Sequence, residues 1–390
     1  MRRLTFLFSA LVLCAFAVPA PAQAPAPGQR VAQYDYLAAH LPRYKELAAK
    51  KWPGPLPTVK KVSPGGAYPG SAALTEILRD LGDLAADAAV PEDGTYGGAL
   101  VPAVKAFQAR HGLTPDGILG AGTFAALNHP YKERLEQIEE SLKWLETITV
   151  PDSESLVIVN IPAFVLYAWT FADRGKKATL TMPVVVGKAA RSRTPVLGGE
   201  IAYLVFRPYW YVPRSIVVRE MLPAYAKDSS YFDKHDLELT ATNDDARPGV
   251  PTTPENVELL RAGKLGVRQR PGPRNSLGRV KFIFPNPESV YLHDTPARSL
   301  FERDRRDFSH GCVRVSDPPA LAEFLLRSTP GWDAAKIAAA MDAERPQTVV
   351  LKPRVPVWLL YTTATASPDG RIAFFEDVYR RGAPAGGPAR

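Results

Sequence analysis

The chain changes texture after about residue 150, from apolar residues recurring every three or four positions to β-branched and aromatic runs cut by turn residues. In the first part, Leu37, Leu41, Tyr44 and Leu47 share a helical face over Tyr34 to Lys51, which Pro42 breaks or kinks and Trp52-Pro53-Gly54-Pro55 stops. Leu74, Ile77, Leu78 and Leu81 mark a further helix, and Leu100, Val104 and Phe107 another, ended by Gly112. A turn-rich stretch, Leu113 to Gly120, leads to a short helix through Thr123 and Leu127. Residues 69–128 therefore read as a compact three-helix unit. From Pro130 to Ile148, Leu135, Ile138, Leu142 and Leu145 form one stripe among acidic residues, the pattern of a connector helix over 129–150.

The second part predicts strands at Leu156–Ile161, Phe164–Phe171, Leu180–Val186 and Ile201–Phe206, then at Arg279–Phe284 and Ser289–Leu292. Between them, roughly 215–266, lies a polar interruption, helical over Val217–Ala226 and loop-like over Asn243–Pro254. An insertion of about fifty residues is long for a connection and suits a lid. A helix over Pro319–Leu326 and strand-like runs at Val357–Thr362 and Ile372–Phe375 follow. The class is α+β: a mainly antiparallel β-domain over 151–353 with an inserted lid subdomain, a small α-helical unit before it, and C-terminal strands and tail over 354–390.

The N-terminus adds a compartment. Arg2 and Arg3 precede an apolar run from Leu4 to Val18, and Ala20-Pro21-Ala22 follows, which is the layout of a secretory signal over residues 1–22 with cleavage after Ala22. Residues 23–68 are then a leader and the N-terminal helical segment. The apolar run is short for a span of roughly 20 residues; left uncleaved, it would anchor the chain at the membrane. The location expected is the periplasm or cell envelope. Net charge is +8, or +6 without the signal, and suits an anionic envelope polymer. An exported chain with no aromatic-interleaved basic motif argues against nucleic acid as a partner.

Export also changes the meaning of the cysteines. There are two, Cys14 and Cys312, and the first lies within the signal. The mature chain thus holds a single thiol in an oxidising compartment, where a thiol is a liability unless it has a task. Thiol acyl transfer needs a thiolate, a base and donors for a tetrahedral oxyanion. Around Cys312 stand His310 two residues before it, His293 at the end of Val290-Tyr291-Leu292-His293-Asp294, and Gly311, where the backbone can approach closely and loop amides could form an oxyanion hole. Taken singly, each has a plainer reading. A lone cysteine can be inert, a strand-end histidine structural, and arginines such as Arg298, Arg303, Arg305 and Arg306 a solvated face. A zinc site would want more ligands than this run offers, so no metal and no cofactor is implied.

His293-Asp294-Thr295-Pro296, a spacer of about a dozen residues, and Ser309-His310-Gly311-Cys312-Val313-Arg314 together resemble the signature of the L,D-transpeptidases with a YkuD-type catalytic domain. Asn160-Ile161-Pro162-Ala163-Phe164, Pro208-Tyr209-Trp210, Val212-Pro213-Arg214-Ser215-Ile216 and the run from Gln269 to Gly278 resemble the larger, YcbB-like subgroup. Phe107-Gln108-Ala109-Arg110-His111-Gly112-Leu113 with Asp116-Gly117 is similar to the peptidoglycan-binding module of wall enzymes. The resemblance implies a cysteine acyltransferase acting on peptidoglycan stem peptides, with Cys312 as nucleophile and His293 as proton acceptor and donor. It implies support for the loop and oxyanion hole from Ser309, His310 and Gly311, and for Arg314 either ordering of that loop or pairing with a substrate carboxylate. Tyr291, Asn275 and Trp210 would line the cleft, and Arg270, with Arg268 and Arg274, would hold donor carboxylates. Arg207 and Tyr211 depart from the asparagines that relatives often place there, on the acceptor side.

The expected product is a 3-3 cross-link made through a thioester, with a carbapenem acylating the same thiol. Alternatives are 1-3 cross-linking, attachment of lipoproteins to the wall, an L,D-carboxypeptidase, or a wall-binding scaffold with a dead site. A papain-like peptidase would want a histidine after its cysteine, and none follows Cys312.

Overall fold

A computed structural model of the chain describes residues 29–150, 153–173 and 175–381. The expected signal and Cys14 lie outside the described residues, as do residues 382–390. Among the described residues no helix is long and apolar enough to cross a membrane.

The N-terminal segment is two helices, Ala32–Ala38 and Leu41–Ala49. Pro42 sits in the first turn of the second, where a missing N–H costs nothing. Helices Ser71–Leu81, Leu100–Arg110 and Ala121–Leu127 follow. Their Gly-rich turn is organised by the buried Gln108, whose amide nitrogen donates to Asp116 Oδ1, the Ile118 carbonyl and Thr123 Oγ1, each at 3.0 Å. Its oxygen accepts from Gly117 N at 2.8 Å. The connector helix runs Tyr131–Glu146 and buries Ile138, Leu142 and Leu145 on one side.

The β-domain closes on itself. In spatial order its strands are Leu180–Gly187, Val313–Val315, Leu292–His293, Val280–Ile283, Leu197–Phe206, Gln347–Leu360, Ser155–Asn160 and Val165–Thr170, the last pairing back to the first. Most pairings are antiparallel, but Leu292–His293 with Val313–Val315 and Gln347–Leu360 with Ser155–Asn160 are parallel. A short strand, Asp307–Ser309, adds in parallel to the end of Leu180–Gly187. Closure leaves few edges exposed. The interior is filled by Val157, Val184, Leu204, Phe282, Val313 and Val357 among others, all fully buried.

Three expectations change. Trp210–Tyr211, Leu237–Thr240 and Gly266–Gln269 form a separate three-stranded sheet, so the insertion opens at Trp210 and closes at Gln269, wider than 215–266. It has its own core around Val217, Phe232, Leu239 and Leu260. The boundary drawn at 353/354 falls inside the strand Gln347–Leu360, because that strand continues through a bulge between Val350 and Val355 that interrupts its apolar pattern. Within Ser289–Leu292, only Leu292 joins a ladder, since Ser289 adopts φ 54°.

Two helices cover the barrel. Pro318–Leu326 starts at Asp317, whose carboxylate accepts from Ala320 N at 3.1 Å. Ala334–Asp342, which the apolar pattern did not single out, starts at Asp333 in the same way. The final hairpin, Ala364–Ala366 with Ile372–Phe374, leaves the barrel and packs into the core of the helical part.

Candidate active site

The parallel pair Leu292–His293 and Val313–Val315 builds the site. Leu292, Val313 and Val315 are fully buried in the barrel core. Side chains alternate along a strand, so Tyr291, His293, Cys312 and Arg314 all stand on the opposite face. Register places His293 beside Arg314, and Val313 N donates to the Tyr291 carbonyl at 3.0 Å, setting Tyr291 beside Cys312. The two residues singled out in sequence as base and nucleophile thus lie one diagonal step apart.

His293 is buried, with Nδ1 2.5 Å from the Asp294 carbonyl oxygen. A carbonyl only accepts, so Nδ1 carries the proton and Nε2 is left as an acceptor. Asp294 is itself fixed: its carboxylate accepts from Arg279 N at 2.8 Å and Thr295 N at 2.7 Å. Burial lowers His293 to about 3; the Arg314 and Lys281 charges add to this and the Asp294 hydrogen bond opposes it. Burial likewise pushes the half-buried Cys312 thiol up to about 11, with Tyr291 hydrogen bonds and the Arg314 charge pulling back in part. The Tyr291 ring also stands edge-on to His293 at 5.7 Å. The resting pair is therefore a neutral thiol and a neutral imidazole.

The cysteine loop is tied from within and behind. Ser309 Oγ accepts from Gly311 N at 3.1 Å and donates to the Cys312 carbonyl at 2.5 Å. Gly311 has φ 120°, a conformation L side chains rarely adopt. Its carbonyl accepts from Thr194 Oγ1 at 2.8 Å, and the Ser309 carbonyl from Ser192 Oγ at 3.0 Å. Tyr379 donates its hydroxyl proton to the Gly187 carbonyl at 2.6 Å and accepts from Thr194 N at 3.1 Å. None of Ser192, Thr194 or Tyr379 stood out in the sequence, because their partners are distant in the chain.

Several predicted site residues lie elsewhere or act differently. The His310 side chain turns towards the insertion, where its Nε2 reaches Glu220 Oε1 at 2.8 Å. The Gly311 amide is committed to Ser309, which removes it as an oxyanion donor. Asn275 is buried and bonds the carbonyls of Pro208, Gln269 and Arg270, so it staples the hinge of the insertion and does not line a cleft. Trp210 packs on the insertion's own core. Arg270 is half-exposed and pairs with Asp236 and Glu238, each at 3.9 Å. Arg268 is spent on Glu238 at 2.6 Å and on two backbone carbonyls, and Arg274 grips Asp236 with two bonds of 2.8 Å. Arg314 remains available; its Nε is buried with no partner. Tyr291 is closer to the chemistry than expected, because the strand pairing sets it directly beside Cys312.

A half-buried thiol and a neutral imidazole held in one tautomer on the same face of neighbouring strands are two of the parts that thiol acyl transfer needs. Residues 154–337 match the YkuD family, described as "L,D-transpeptidase catalytic domain", and residues 69–127 match the family described as "Putative peptidoglycan binding domain". A Haemophilus influenzae protein named "Putative L,D-transpeptidase" is 30% identical over 230 residues, which is 59% of this chain and 45% of that protein. The chain thus spans less than half the length of that relative. A crystal structure of an L,D-transpeptidase (Yku) from Stackebrandtia nassauensis is 16% identical, covering 69% of this chain and 91% of the other, with a TM-score of 0.28. Another, of a fused Zn-dependent amidase/peptidase/peptidoglycan-binding domain-containing protein from Clostridium acetobutylicum, is 12% identical, covering 77% and 100%, with a TM-score of 0.20.

Proposed function

We propose that this chain is an L,D-transpeptidase that forms 3-3 cross-links between peptidoglycan stem peptides in the cell envelope. The observation that carries the reading is the placement of Cys312 and His293 on one face of adjacent strands, with Nε2 of His293 left as the acceptor. His293 takes the thiol proton as Sγ attacks the carbonyl at the L-centre of diaminopimelate in a tetrapeptide stem. The C–N bond to the terminal D-alanine breaks, and its amine leaves with the proton from His293. The side-chain amine of a second stem then attacks the thioester, a new C–N bond forms, and the thiol is restored. Tyr291, set beside Cys312 by the strand pairing, supplies a hydroxyl donor for the developing oxyanion. The insertion acts as a lid whose exclusion of water favours the amine over hydrolysis. The helical module docks the enzyme on wall glycan.

The test is incubation of purified tetrapeptide stems with wild type and Cys312→Ala, with products resolved by mass. Cross-linked dimer and free D-alanine from wild type alone are expected. Release of D-alanine without dimer would make the protein a carboxypeptidase. Turnover by Cys312→Ala, or no carbapenem adduct on wild type, would remove the thiol from the mechanism.

A further inference from the structure

We propose that Lys281, together with Arg314, binds the α-carboxylate of the amino acid that departs during acylation, so that the site selects donors ending one residue beyond the scissile carbonyl. The inference rests on the transpeptidase reading above and assigns a specificity-determining residue within it.

Lys281 is the direct cross-strand partner of His293, as Arg314 is on the other side. Its neighbours Val280 and Phe282 are fully buried in the core, so the Lys281 side chain takes the same face as His293 and Cys312. Neighbouring strands lie about 4.8 Å apart, which makes Lys281, His293 and Arg314 a contiguous row. Both cations act electrostatically on His293, as such a row requires. Among the described residues neither forms an ion pair, and the buried Nε of Arg314 has no partner at all. The acid whose field Lys281 feels is Asp245 of the insertion, which itself accepts from the Tyr211 hydroxyl at 2.7 Å.

Two half-buried, unpaired cations flanking a neutral base are unfavourable unless an anion completes them. The chemistry fixes where that anion stands. His293 must hand its proton to the leaving amine, so that nitrogen lies at Nε2 in the transition state. In an amino acid leaving group the carboxylate is attached to the next carbon, which places it over the row. A donor extended by a further residue carries a neutral amide there and leaves both cations unmatched.

The experiment compares a tetrapeptide donor with a free C-terminal carboxylate against the same peptide as its C-terminal carboxamide, following release of the terminal residue by mass. Wild type is expected to prefer the free acid. Lys281→Met is expected to lose at least about tenfold of that preference, chiefly through KM, and Lys281→Arg to keep most of it. Lys281→Met should also move the acid limb of the pH–rate profile upward, since His293 loses a neighbouring charge. A purely structural lysine would leave the preference intact and depress both donors alike, which would overturn the proposal. So would a wild-type enzyme indifferent to the carboxylate, a comparison that stands even if Lys281→Met does not fold. Release of the terminal residue from neither donor would instead remove the transpeptidase reading itself.

Discussion

Between the pH at which His293 gains a proton, about 3, and that at which Cys312 loses one, about 11, the pair keeps one protonation state. The rate of carbapenem acylation is therefore expected to show no break near the ordinary histidine value of 6.5, and a profile falling by tenfold between pH 7 and pH 5.5 would contradict it. The same shift has a stability sign. Below 6.5 the unfolded chain protonates this histidine while the folded one does not, so stability is lost as pH falls from 6.5 towards 3. His111, buried and also held well below its ordinary value, adds to the loss. Melting temperature should fall on acidification from pH 7 to pH 5, and less so in His293→Gln. Asn275 makes a separate prediction. Asn275→Ala leaves three backbone carbonyls short of a donor and should cost about 1–3 kcal/mol in chemical denaturation. KM should not change, because the residue does not face substrate.

Elements explain what the sequence could disclose. Period-3.6 stripes placed the helices because each covers one face of a core, and runs of β-branched residues placed most strands for the same reason. Cys312 and His293 were legible because their chemistry is rare in this chain and their motif is local. Lys281 was not: between Val280 and Phe282 it reads as an ordinary outward residue, and only cross-strand register reveals that it stands beside His293. His310 misled for the converse reason, since closeness to Cys312 in sequence says nothing about where a loop side chain points. It joins the cysteine loop to Glu220, in the π-helical turn Val217–Met221 of the insertion. Both groups are exposed, so the pair contributes at most about 1 kcal/mol to stability. Glu220→Gln should leave melting unchanged and raise the share of thioester lost to water, read as the ratio of hydrolysed to cross-linked product. An unchanged ratio would separate this contact from lid closure.

At the scale of the whole molecule, the helical part and the barrel share one apolar core. Leu156, Ile158, Trp169 and Leu360 from the outside of the barrel pack with the helices and with the final hairpin. Phe374 of that hairpin meets Tyr44 at 5.3 Å and His111 at 6.1 Å, and lies under the Arg134 guanidinium at 4.9 Å. One ring thus joins the N-terminal helices, the module and the connector. Thr114 of the module adds a polar tie, its amide and hydroxyl both donating to Asp304 Oδ1, at 2.9 and 2.8 Å. Calorimetry should show the module and barrel melting together. Phe374→Ala should cost about 3–5 kcal/mol, and two resolved transitions in wild type would disprove the shared core.

The tie from Tyr379 to the strand behind the cysteine loop also has a consequence in time. A chain emerging from its N-terminus exposes Cys312 before Tyr379 exists to hold Gly187 and Thr194 in place. Until then the loop lacks its rear anchor. A chain ending before Tyr379 is therefore expected to react more slowly with a carbapenem at Cys312 than the full chain, read by mass.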